Sequence, residues 1–236
     1  MAGQFRTTQW SLVIAAGDDR NPRFHQALSD LCESYWYPVY AYVRRRSGDA
    51  DSAQDLTQGF FSSLLERNTL AAADRERGRF RSFLLTALKF YLADEHDRAT
   101  AKKRGAGVTA ISLDLEGAEE RYRLEAEPDD APDRAYERRW ALEVLELTHQ
   151  RLRTEIERSA QPARALRLAG YLTGDRDEAS YRVVADELGM TESAVKVAVH
   201  RLRKRYGALL REEVERTVGD PGETEGELRF LLAALG

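Results

Sequence analysis

The segment A-D-E-L-G-M-T-E-S-A-V-K-V-A-V-H-R-L-R-K-R, Ala185 to Arg205, sets polar and cationic side chains at helical spacing. Glu192, Ser193, Lys196, Val197 and His200 recur at steps that gather them on one side of a helix, and Arg201, Arg203, Lys204 and Arg205 follow at the next turn. Such a row can meet base edges in the major groove of DNA through its first members, while the later cations reach phosphates.

Chemistry of that kind needs a second helix to hold the first in place. Counting from Tyr181, Ala185 falls fifth, Gly189 ninth and Val195 fifteenth in a twenty-residue helix-turn-helix. Those places require a small residue where the helices cross, a residue tolerant of positive φ in the turn, and an apolar residue that anchors the second helix. Val184, Leu188, Met190 and Ala198 fill the other inward positions, and Thr191 suits the N-cap of the second helix. An ordinary helical hairpin with a solvated basic face is the plainer alternative.

A second cationic cluster, Arg98 with A-K-K-R-G at Ala101 to Gly105, ends a segment that carries Phe80, Phe83, Phe90 and Tyr91. Aromatic rings beside cations suit unstacked bases and their phosphates. Spacing alone assigns most of these rings to a core, with the basic end complementing the helix dipole.

The chain has 236 residues, with 36 Lys plus Arg against 40 Asp plus Glu, a formal charge of −4. The acids are unevenly spread. Nine acids face two bases from Asp114 to Asp133, and seven face two from Glu212 to Gly236, which leaves the rest of the chain at +8. A polyanion responds to the patch within a Debye length of about 8 Å rather than to the total. Cys32 is the single cysteine, so no disulfide or cysteine-based zinc site is available, and a reducing cytoplasm is the expected setting. The apolar run Trp10 to Ala16 is too short for a membrane span and reads as part of a buried helix, and no membrane association is expected.

Periodicity predicts an all-α fold, with helices near Asn21–Arg46, Asp51–Glu66, Gly78–Arg104, Asp133–Arg158, Pro162–Leu172, Glu178–Leu188 and Thr191–Val218. The acidic, Gly- and Pro-containing segment 105–132 reads as a linker between helical domains 1–104 and 133–218, with a short helix allowed around Leu115 to Leu124. After the break at Gly219 to Gly222, Leu228, Leu231, Leu232 and Leu235 form an amphipathic tail expected to pack on its own, C-terminal domain.

An enzyme is disfavoured. D-E-H-D at Asp94 to Asp97 superficially suggests a metal or hydrolytic site, but no phosphate-cradling loop accompanies it, and His25, His96, His149 and His200 are scattered singly. Cys32 beside Leu31 and Tyr35 reads as core, and no metal, cofactor or catalytic residue is expected.

S-A-Q-D-L-T-Q-G-F-F-S-S-L-L-E at Ser52 to Glu66, F-R-S-F-L-L-T-A-L-K-F-Y-L-A-D at Phe80 to Asp94, an acidic linker and a terminal helix-turn-helix together resemble an extracytoplasmic-function (ECF) sigma factor of bacterial RNA polymerase, over roughly residues 24–216. The resemblance implies a cytoplasmic transcription factor whose partners are the clamp and flap of core RNA polymerase and promoter DNA, with an anti-sigma factor or Ser/Thr kinase as regulator. It implies that residues 51–66 dock on the clamp, that 67–83 capture a flipped −10 base, and that 89–104 meet the −10 duplex edge. Phe83, Lys89, Phe90, Arg98, Lys102, Lys103 and Arg104 are then the −10 candidates, while Glu192, Ser193, Lys196, Val197, His200, Arg201, Arg203 and Lys204 read the −35 element. The first helix puts Ala53, Leu56, Phe60 and Leu64 on one face and Asp51, Gln54, Asp55 and Gln58, the docking candidates, opposite. The chain departs from the family at Gln54 and Gly59, where acids are usual, and at Phe90, where Asn is usual. Hydroxyls at Ser52, Thr57, Ser62 and Ser63 offer another source of negative charge, and analogy makes Thr57 the candidate for phosphorylation. A helix-turn-helix regulator that binds DNA without polymerase is the rival reading.

Overall fold

The computed structural model describes residues 10–74, 76, 78–101, 117–125, 131–172 and 178–236, and every regular element among them is helical. The helices are α1 (Trp10–Ala16), α2 (Phe24–Ser47), α3 (Ala50–Glu66), α4 (Phe80–Ala101), α5 (Ala118–Glu125), α6 (Pro132–Glu157), α7 (Pro162–Ala169), α8 (Glu178–Leu188), α9 (Glu192–Glu215) and α10 (Thr224–Ala234). None among the described residues is long and apolar enough to cross a membrane. The chain divides into two compact units, one formed by residues up to Glu143 with Val214–Gly236 and the other by Val144–Glu213.

In the first unit, α2 is apolar on every side from Tyr37 to Val43, and all seven residues of that run are buried. A helix buried all round must be surrounded by others, and α1 and α3 pack against it. Trp10 and Val13 are buried in α1, as expected for the Trp10–Ala16 run. Asp49 caps α3, accepting from the Ser52 N–H at 2.8 Å. Along α4, Phe80, Leu84, Leu88 and Leu92 recur every fourth residue and are buried. Phe80 meets Tyr35 edge-on with ring centroids 5.4 Å apart.

Part of the acidic segment read as a linker is a structural member of this unit. The α5 residue Glu119 accepts from Arg44 Nε and from the Tyr40 hydroxyl, both at 2.8 Å, so α5 is fastened to α2. Arg121 of α5 lies over the Tyr37 ring at 3.9 Å, and Arg139 of α6 closes onto Glu125. These acids neutralise cations of their own unit.

The tail also departs from expectation. α10 belongs with the first unit, as do 133–143 and 214–218, so the expected domain 133–218 is itself shared between the two units. Leu231 of the predicted stripe is buried, whereas Leu232 is 61% exposed. The reason lies in the contacts of the helix: Phe230 packs near Trp140 of α6 with centroids 6.2 Å apart, and the fully buried carboxylate of Glu227 pairs with Arg81 of α4.

The second unit builds its core from two neighbouring groups of apolar residues, Leu168, Tyr171, Val184, Ala185, Val195 and Val199 in one, and Leu152, Ile156 and Leu209 in the other. Arg151 pairs with both Glu212 and Glu213, and Arg205 is held by Glu155 through two hydrogen bonds of 2.8 and 2.6 Å.

Candidate nucleic-acid interface

The connection between α8 and α9 turns on Gly189, whose φ of +60° lies in the left-handed region. The Met190 N–H donates to the Ala185 carbonyl at 2.8 Å and the Gly189 N–H to that of Asp186 at 3.3 Å, a Schellman closure of α8. Thr191 then caps α9, its hydroxyl oxygen accepting from the Ala194 N–H at 3.2 Å. Ala185 and Val195 are buried where the helices meet, and Leu188, Met190 and Ala198 pack partly buried around them.

With Val195 and Val199 turned inward, Ser193, Lys196, Val197, His200, Arg201, Arg203 and Lys204 are exposed and Glu192 is half-buried. All eight residues assigned to this row therefore reach the surface of α9. Three of them are already engaged: Lys196 pairs with Glu192 at 2.8 Å, and Arg203 donates to the Tyr171 carbonyl at 3.1 Å. Arg205, expected to meet phosphate, is instead bound to Glu155 and lies 3.5 Å from Glu212. Its hydrogen bonds to Glu155 raise its pKa further.

The candidates in the first unit lie on α3 and α4. Ala53, Phe60 and Leu64 of α3 are buried and Leu56 half-buried, while Asp51 and Asp55 are exposed and Gln54 and Gln58 partly so. Thr57, the candidate for modification, is completely buried, and its Oγ1 finds no hydrogen-bond partner. That overturns it as a site a kinase could reach in this fold. Gly59 faces Tyr91, whose hydroxyl stands where a β-carbon would be.

On α4, Phe80 is core and Phe83 and Tyr91 are half-buried, whereas Phe90, one of the −10 candidates, is 71% exposed. Lys89 is exposed and pairs with Asp133 at 2.7 Å, and Arg98 pairs with Glu95 at 2.7 Å. Lys102, Lys103 and Arg104 lie outside the described residues. Phe83 is half-buried, stacks near Phe80 with centroids 5.9 Å apart, and lines a cleft of about 560 Å³ with Asp74, Arg79, Ser82, Thr86 and Glu223. The volume of this cleft falls in the range of about 300–1,000 Å³ typical of small-molecule sites.

Asp74 and Arg79 fall within the 67–83 stretch expected to capture a base, though neither was singled out, and Glu223 was missed. Arg79 stands in the visible run G-R-F-R, but Glu223 is more than a hundred residues away and belongs to a segment assigned elsewhere. Burial pushes the Cys32 thiol up to about 12, far from a thiolate at neutral pH.

Searches of protein-family models, of curated proteins and of solved structures find no match to this chain.

Proposed function

We propose that the protein is an alternative sigma factor of the ECF type, which directs core RNA polymerase to particular promoters. The observation that carries this reading is the exposed row on α9: Ser193, Lys196, Val197 and His200 stand in solvent because Val195 and Val199 are buried against α8. In this reading α8 and α9 are a helix-turn-helix, with α9 in the major groove of the −35 element. Lys196 exchanges Glu192 for a base edge. A surface ion pair is worth at most about 1 kcal/mol, whereas a good base contact discriminates by about 1–3 kcal/mol, so the exchange favours DNA. Arg201 and Lys204 meet phosphates, with Arg203 already oriented by the Tyr171 carbonyl.

The cleft at the start of α4 takes an unpaired nucleotide of the −10 element, with Phe83 as the stacking surface and Arg79 as the cation. Lys89 and Phe90 lie further along the same helix, toward the duplex edge. Asp51, Gln54, Asp55 and Gln58 on α3 face the polymerase clamp. The net charge of −4 is compatible with this work, because polymerase supplies much of the affinity and the two basic surfaces act locally. Such a protein works in the cytoplasm and needs no cofactor.

Asp55→Arg tests the docking face. It places a cation against a basic clamp surface without disturbing the α3 core, and co-purification with core polymerase should fall by about tenfold or more. Undiminished co-purification would remove α3 as the docking helix. A regulator that binds promoter DNA alone is the second reading, which the same α9 surface would also serve; such a protein would not co-purify with polymerase at all.

A further inference from the structure

One buried carboxylate of α10 holds two arginines at the entrance of α4. Glu227 is fully buried; its Oε1 accepts from Arg81 Nε at 2.8 Å, and its Oε2 lies 2.6 Å from Arg79 Nε. The two arginines have different surroundings. Arg81 is enclosed, its guanidinium 3.7 Å from the Phe230 ring centre and 4.9 Å from that of Trp140. Arg79 keeps 29% of its side chain exposed and lines the cleft with Phe83, Ser82 and Glu223.

We infer that Glu227 is a positioning residue for Arg79, which makes α10 a working wall of the cleft that receives the unpaired nucleotide. This rests on the function proposed above. An arginine on an exposed loop must lose the freedom of a long side chain when a ligand arrives, and fixing it beforehand removes that cost from binding. Glu227 lies against Nε, and the terminal nitrogens of the guanidinium are the further donors Arg79 has for a ligand. Arg81 supplies the rigidity: its packing against both the Phe230 and the Trp140 rings keeps the Glu227 carboxylate from following Arg79 outward. The second contribution of α10 is Glu223, at the base of the same helix, which stands in the wall itself.

The test uses the full chain bound to core polymerase, with a labelled fork DNA pool whose unpaired arm is randomised. Arg81→Met with Glu227→Gln removes both charges of the buried pair together, a replacement that buried ion pairs often tolerate. That double variant and Arg79→Ala should each weaken capture of the fork by about tenfold, and the triple variant should be no weaker than Arg79→Ala alone. Affinity for fully paired DNA should be unchanged throughout, which a merely structural lesion would not spare. Should the double variant fail to fold, Glu227→Asp, which keeps the charge and withdraws it by one methylene, carries the same expectation. Losses that multiply in the combined variant, or capture equal to the parent without Glu227, would overturn the inference. A parent complex that captures no fork DNA would instead bring down the sigma-factor reading beneath it.

Discussion

The hydroxyl of Tyr91 occupies the space in which a β-carbon on Gly59 would stand, so α4 approaches the backbone of α3 at that point. The glycine that looked like a missing acid in a docking helix is thus a packing requirement. Burial pushes the Tyr91 phenol up to about 12, so it stays neutral in that contact. In an open helix, Gly→Ala stabilises by about 1 kcal/mol. Here Gly59→Ala should instead destabilise by about 1–3 kcal/mol through overpacking, and Tyr91→Phe in the same chain should restore most of the loss. Thermal melting of the three variants decides the sign, and a stabilising Gly59→Ala would show that the two helices do not meet in this way.

Thr57 yields a second reversal of sign. Its buried hydroxyl has no partner, so Thr57→Val should keep or raise stability, by up to about 1 kcal/mol. Thr57→Glu places a charge in the core of the first unit and should cost several kcal/mol. Denaturant titration separates them; a Thr57→Glu protein as stable as the parent would mean that this side of α3 opens to solvent.

Acid sensitivity should trace in part to Glu119. Its hydrogen bond from Arg44, assisted by Tyr40, lowers its pKa from the ordinary 4.5 to about 2 against the opposing effect of burial. A folded-state value below the unfolded one means that this contribution is complete above pH 4.5 and is lost as the pH falls toward 2. The melting temperature of the parent should therefore drop more steeply than that of Glu119→Gln between about pH 5 and about pH 3. Parallel curves would show that the α2–α5 pairing carries no linkage.

The features legible in the sequence were those set by local pattern. The four-residue recurrence of Phe80, Leu84, Leu88 and Leu92 marks α4 whatever it packs on, and Gly189 between two amphipathic runs marks the turn before α9. What escaped was decided by partners distant in the chain. Glu119 looks like one more acid in a linker until Arg44 and Tyr40 are found beside it. Glu227 sits in a short apolar helix whose docking place follows from Arg81 and Trp140, and no periodicity in the tail reveals them. The exposure of Phe90 and the complete burial of Thr57 have the same origin: a helical wheel gives directions on one helix, while burial depends on what stands opposite.

The most direct measurement is a gel shift with DNA fragments selected from the genome by the protein in the presence of core RNA polymerase, repeated with the protein alone and with polymerase alone. The protein–polymerase complex should retain specific fragments that neither component retains separately. Specific retention by the protein alone at equal strength would contradict the sigma-factor account and identify a regulator that needs no polymerase.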